Sequence, residues 1–171
     1  NILLAYNKYF RAKETFYKDL TTLSSILLQD NSAQDTSCFN LVLAKAIISN
    51  DDNKDFLYQI GIEAQSENAT GDRILNNRQI QSDYAIFSTV EYNLNEKIIL
   101  RPSARAIYNT NYKAPFIPAF NMLIDLNQYK LRLGLAKGFR APTLKELYLE
   151  FVDINHNIVG NEDLVAEESA N

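Results

Sequence analysis

Several residue types are scarce in this sequence, and each scarcity excludes something. The one cysteine, Cys38, can form no internal disulfide and reports no redox compartment. His156 is the one histidine, so neither a histidine-based triad nor a multi-histidine metal site can be assembled, and it reads as a solvated loop side chain. The Asp and Glu residues are scattered, with no pair that spacing alone would join as acid and base. No enzyme and no cofactor is therefore expected. A net charge of −4 supplies no basic patch, which speaks against nucleic acid as a partner. No apolar run reaches the roughly 18 residues of a spanning helix. Glycine is also sparse, at five, and tryptophan is missing, whereas ten tyrosines and nine phenylalanines favour strands over helices.

What is present is period-two alternation. Ile2, Leu4, Tyr6, Phe10 and Ala12 share one face of the first segment, opposite Asn7, Arg11 and Lys13, with Lys8 breaking the pattern. Residues 39–49 are nearly continuous in apolar side chains; with Lys45 on one face, Val42, Ala44, Ala46 and Ile48 take the other. Phe56, Tyr58, Ile60, Ile62 and Ala64 oppose Leu57, Gln59, Gly61, Glu63 and Gln65. The pattern returns with Tyr84, Ile86, Val90, Tyr92 and Leu94, then with Ile98, Leu100, Pro102, Ala104, Ala106 and Tyr108. It continues through Phe116, Pro118, Phe120, Met122 and Ile124, and ends with Leu131, Leu133 and Leu135 against Lys130, Arg132 and Gly134. Alternation of this kind predicts about seven half-buried strands.

The expected connections alternate in length: long at 14–37, short at 50–55, long at 66–81, short at 93–96, intermediate at 109–115, short at 126–128 and long at 138–171. Within the first, residues 19–28 suggest one helical turn. Soluble sandwiches have no reason to keep such an order, whereas transmembrane β-barrels have short turns on one side and long loops on the other. Phe56, Tyr58, Tyr92 and Tyr129 fall at the short-turn ends of the apolar faces and Tyr84, Tyr108 and Phe116 at the long-loop ends, as two interfacial belts would require. Glu63, Glu91, Arg101, Arg105, Asp125, Lys130 and Arg132 occupy the opposite face, where they suit a wet or filled lumen and would be costly in lipid. Asp51, Asn53 and Asp55 have the opening spacing of a calcium loop, but Phe56 stands where glycine is needed, so no metal is assigned.

The last quarter carries a motif. Gly138-Phe139-Arg140-Ala141-Pro142-Thr143-Leu144-Lys145-Glu146-Leu147-Tyr148 must begin where a strand stops, because Pro142 cannot donate to a ladder and biases Ala141 toward extended geometry. Thr143 and Glu146 have capping-box spacing, and Leu144, Leu147, Tyr148 and Phe151 can share one apolar face of a short helical turn. With Gly160-Asn161-Glu162-Asp163-Leu164 and Glu167-Glu168-Ser169 downstream, the two blocks resemble the late barrel motif of bacterial TonB-dependent outer-membrane receptors. Glu162 and Ala166 stand where that family usually has proline.

The resemblance implies an all-β, antiparallel, up-and-down transmembrane barrel segment of about seven strands. Residues 1–171 would be part of a larger barrel, typically of about 22 strands, with the N-terminal plug domain and the remaining strands lying outside this chain. It implies a bacterial outer-membrane receptor for energy-coupled uptake of a scarce nutrient, such as a ferric siderophore, haem, cobalamin or a glycan. The partners would be outer-membrane lipid, a small nutrient ligand and a TonB complex engaged through the plug. Ligand contacts would come from the external loop residues Arg140, Tyr148, Phe151, Asn155, His156 and Asn157; for Arg140 and Tyr148 the competing role is fixing the loop to the barrel rim. A passive porin and a soluble β-sheet binding or adhesion module remain as alternatives.

Overall fold

The computed structural model describes residues 1–29, 34–50, 55–152 and 156–171. One antiparallel sheet dominates, built from β1 (Ile2–Lys13), β4 (Asp35–Ser49), β5 (Phe56–Gly71), β6 (Arg78–Asn95), β7 (Ile98–Asn109), β8 (Ile117–Asp125), β9 (Lys130–Arg140) and the short β12 (Glu167–Ala170). Its spatial order, β1-β4-β5-β6-β7-β8-β9-β12, is chain order with the loop hairpins left out. Those hairpins are β2 (Phe16–Lys18) with β3 (Ser25–Leu27), and β10 (Glu150–Val152) with β11 (Asn157–Val159).

Register fixes the two faces. Leu3 pairs with Lys45, Lys45 with Glu63, Glu63 with Ala85 and Ala85 with Ile107, so one parity lines one face across five strands. The other parity carries the row Leu4, Ala44, Ala64, Tyr84 and Tyr108. On β9 the parity inverts across its hairpin: Asn121 pairs with Gly134 and Met122 with Leu133, which puts Leu131, Leu133 and Leu135 on the apolar face. These leucines stand uncovered, Leu133 at 49% exposure and Leu135 at 69%. The seven expected strands and both faces are thus present.

Asn95 and Asn127 sit in the β6–β7 and β8–β9 hairpins at one end, while Asp19, Asn68, Lys113 and Glu146 fall at the other. Asp51 and Asn53 lie outside the described residues. The aromatics group by end as anticipated: Tyr84 stacks on Tyr108 with ring centroids 6.4 Å apart, and Phe56 lies 6.3 Å from Tyr58 and pairs with Tyr92.

Four local expectations need correction. Residues 19–28 form no helical turn; Asp19 accepts the Thr21 amide and the Thr22 hydroxyl, closing the turn of the β2–β3 hairpin. The span 66–81 is mostly strand, because β5 runs to Gly71 and β6 starts at Arg78, leaving a 72–77 connection. Gly71 ends β5 at φ 145°, a conformation that glycine tolerates, and a Cβ there would run into the Thr36 carbonyl. β4 begins at Asp35 and not at Phe39. The 93–96 turn narrows to 96–97, with a register irregularity between Asn93 and Asn95.

Among the described residues, buried apolar side chains are few and, Ala85 apart, gathered at the long-loop end: Ala69, Ile74, Leu144 and Leu147. The sheet itself has no water-type core.

Candidate functional site

After β9 the chain does not swing away from the sheet. It folds back across the polar face as a strap, described over residues 141–152 and 156–166, before returning as β12. The first turn of the strap is α1 (Leu144–Tyr148), capped as its sequence dictates: Thr143 Oγ1 accepts the Glu146 amide at 3.3 Å and Glu146 Oε2 accepts the Thr143 amide at 2.8 Å. That capping points Leu144 and Leu147 at the sheet. Leu144 is fully buried with Ala69 and Ile74, with Phe39, Tyr148 and Leu149 packed around them. Gln81 Nε2 donates to the Pro142 carbonyl at 3.3 Å, Ile74 bridges Leu149, and the Glu150 amide donates to the Arg73 carbonyl at 2.9 Å. The strap thus starts at β9 and is anchored on β6, on the β5–β6 connection and against Phe39 of β4.

Arg140 locks its root. The guanidinium donates to both carboxylate oxygens of Glu146 at 3.0 to 3.2 Å and to Glu167 of β12 at 2.8 and 3.1 Å. Arg140 is the last residue of β9, so this cluster lies at the long-loop end of the strand. Glu167 and Glu146 raise the Arg140 pKa further above its already high value. Arg140, with help from the Thr143 amide and hydroxyl, lowers Glu146 to about 2, and Arg140 also lowers Glu167.

Further along the strap, Phe151 leaves the apolar face expected for it. It belongs to β10, where its ring is approached by Arg73 at 4.7 Å, Arg11 at 4.8 Å and Lys13 at 5.6 Å, with His156 at 5.0 Å between centroids. A leucine-like packing role is lost because β10 has already turned toward the basic ends of β1 and the β5–β6 connection. Beneath the ring, buried Asp35 pairs with Arg73 at 2.8 Å and Arg11 at 3.9 Å. Lys145 similarly lies 4.6 Å from the Phe39 ring.

Of the six loop residues singled out by sequence, the structure brings Phe151 and His156 together and seats Asn157 opposite Val152 in the same hairpin. Tyr148 packs in the Leu144 cluster at the base of that hairpin, and Arg140 sits in the root clamp. Asn155 lies outside the described residues. Arg11, Lys13, Arg73 and Asp35 were missed as members of the cluster. The alternation had placed Arg11 and Lys13 on the polar face, but nothing local links them to Phe151.

The polar residues on the strands form ion pairs. Glu63 takes Arg105 at 2.6 Å and Lys45 at 3.1 Å, Glu91 takes Arg101, and Asp125 takes Lys130 at 3.2 Å. Arg132 lines an open hollow with Glu91, Arg101 and Asn121. Phe87 covers Gly61 between Lys45 and Arg105, whose charges lie 4.8 and 5.7 Å from the ring. Between this belt and the strap is a cavity of about 260 Å³, bounded by Glu63, Glu67, Asp83 and Arg105 below and by residues 139–143 above. Such an arrangement can hold water and polar solutes against charged walls.

No curated protein matches the chain in sequence. Among solved structures, it is similar to a mutant of the ferric enterobactin receptor PfeA from Pseudomonas aeruginosa in complex with enterobactin, at TM-score 0.67 and 14% identity, covering 99% of this chain and 29% of that one. It is also similar to the siderophore receptor PirA from Acinetobacter baumannii, at TM-score 0.66 and 16% identity over 99% of this chain and 28% of that one. PirA from Pseudomonas aeruginosa aligns at TM-score 0.63 and 18% identity over 82% of this chain and 28% of its own length. The chain thus spans less than a third of these receptors, and at such identities the likeness is one of fold. Residues 5–171 match the family described as TonB dependent receptor-like, beta-barrel. With nearly its whole length inside that match, the chain belongs to the TonB-dependent receptor β-barrel family.

Proposed function

We propose that the chain forms part of the wall of a bacterial outer-membrane receptor that takes up a scarce nutrient, with energy delivered through a TonB partner and a plug domain encoded outside these residues. One observation carries the reading: a sheet with one uncovered apolar face has its other, ion-paired face crossed at one end by the family's motif strap. In water the apolar face would be a large liability; against hydrocarbon it is the required surface. The ion-paired face is then the lumen side, and Glu63, Glu91, Arg101, Arg105, Asp125, Lys130 and Arg132 line it. A ferric siderophore is the favoured cargo, because the similar structures named above are siderophore receptors; haem, cobalamin and glycans are less supported. Phe151, His156 and Asn157 face the cargo. Arg140 and Tyr148 position the strap.

The test is uptake by cells producing the full-length protein, with radiolabelled ferric siderophore. Uptake should stop when the inner membrane is de-energised or the TonB partner is deleted. Uptake that persists in both cases, together with steady conductance in single-channel recordings, would identify a passive porin.

A further inference from the structure

The charges on the apolar face are distributed unevenly in sign and in position. Across β1 and β4 to β9, that face carries three ionisable side chains of high charge, Lys8, Arg78 and Lys137, and no Asp or Glu. All three cations lie at the long-loop end. The opposite face of the same strands carries Asp35, Glu63, Glu67, Asp83, Glu91 and Asp125. Among the described strand residues, the one carboxylate on the apolar side is Glu168 of β12, which pairs with Phe139 and lies diagonal to Lys137. Lys8 and Arg78 have no such neighbour, and both are exposed. Among the described residues neither makes an ion pair.

Their setting is that of an interface. Lys8 pairs with Asn40, which accepts the Tyr6 hydroxyl at 3.0 Å, and below Tyr6 the face is Leu4 and Ile2. Arg78 pairs with Thr70, and Ile80, Tyr84 and Ile86 follow it down β6. A long basic side chain just above an aromatic and aliphatic band lays its stem on the band and extends its charge into the headgroup layer. Three strand spacings of about 4.8 Å separate β1 from β6, and Arg78 stands two residues beyond the row of Lys8, so the two cations are roughly 16 Å apart and reach different headgroups.

We propose that Lys8 and Arg78 form a docking surface for the phosphate groups of lipid headgroups in the leaflet at the long-loop end. This rests on the barrel reading above. The full exclusion of carboxylates from β1 and β4 to β9 on that side is what an anionic layer selects for, since a carboxylate there would be repelled by it.

The experiment uses the full-length receptor in nanodiscs of zwitterionic phospholipid doped with lipid A or with its dephosphorylated form, and counts co-purifying lipid by native mass spectrometry. Wild type should retain lipid A over the dephosphorylated form. Lys8→Gln and Arg78→Gln should each reduce that preference about fivefold, the effect of one basic residue at an anionic surface, whereas Lys97→Gln at the short-turn end should not change it. Equal retention of both lipids by a properly inserted wild type overturns the docking surface and leaves the barrel standing. A receptor that enters nanodiscs with no lipid-exposed face, shown by the absence of quenching at position 133 by a lipid-attached quencher, removes both.

Discussion

The strap and the Leu131 to Leu135 band are held by opposite means. In the strap, Leu144 and Leu147 are 0% and 2% exposed and the backbone is tied down by side-chain caps and clamps. In the band, Leu133 is half exposed and the strand is tied down by its ladder alone, with Leu133 opposite Met122. The strap behaves as a small soluble core inside a chain whose main sheet has none, so the surrounding solvent decides the fate of one region and internal packing the fate of the other. A substitution should therefore injure one region and spare the other.

The largest effect is expected from Leu147→Ala, which empties a buried site and should cost about 2 to 5 kcal/mol of strap docking. Hydrogen exchange should accelerate at the α1 and β10 amides and stay slow in β8 and β9; acceleration in both would merge the two regions. Next is Leu133→Arg in the full-length receptor, expected to cost about 2 to 4 kcal/mol in bilayers because a guanidinium then meets hydrocarbon near mid-strand. Gly134→Arg, one residue away, should be far milder, since the atom facing its Cβ is the end of the Asn121 side chain. Urea unfolding in vesicles measures both, and equal losses would show the faces to be misassigned.

A smaller effect should follow from Gly160→Ala. A Cβ there would approach the Leu147 carbonyl carbon and oxygen at 2.6 Å, backbone atoms that cannot turn aside. Overpacking of about 1 to 3 kcal/mol should loosen the return limb of the strap, read as faster proteolysis between β11 and β12 with unchanged unfolding of the band. The smallest effect is acid loosening. The Glu146 pKa is held at about 2, below its ordinary 4.5, so its contribution is complete above pH 4.5 and is lost as pH falls from there through about 2. Exchange at the Thr143 and Glu146 amides should rise over that window. A flat profile there would remove the Arg140 clamp as the cause.

The sequence disclosed the band far better than the strap's destination. Alternation in residues 56–64 and 130–135 is a direct imprint of one apolar and one polar surround, so the faces could be assigned from parity. That imprint fades at the long-loop end. Ser66, Glu67, Asn68 and Thr70, with Arg78, Gln79 and Gln81, put polar side chains on both faces, so alternation predicts loop there, although Ser66 to Thr70 pairs residue by residue with Arg78 to Ser82. The capping box was legible because Thr143 and Glu146 are three residues apart. Phe151 was misplaced because its partners, Arg11 and Arg73, are remote in sequence and chosen by the fold.

The fastening of the strap has a mechanical consequence. Leaving the wall at β9 and gripping it again at the β5–β6 connection, through Ile74, Leu149 and Glu150, it acts as a bowstring across the arc made by β6, β7 and β8. A string in tension fixes the bow's curvature at the end where it is tied. The rim at the long-loop end is therefore stiff, while the opposite rim of this arc, joined among the described residues by the hairpins at 96–97 and 126–129, is freer to flex, so thermal breathing of this wall should grow steadily from the strapped end toward the turns.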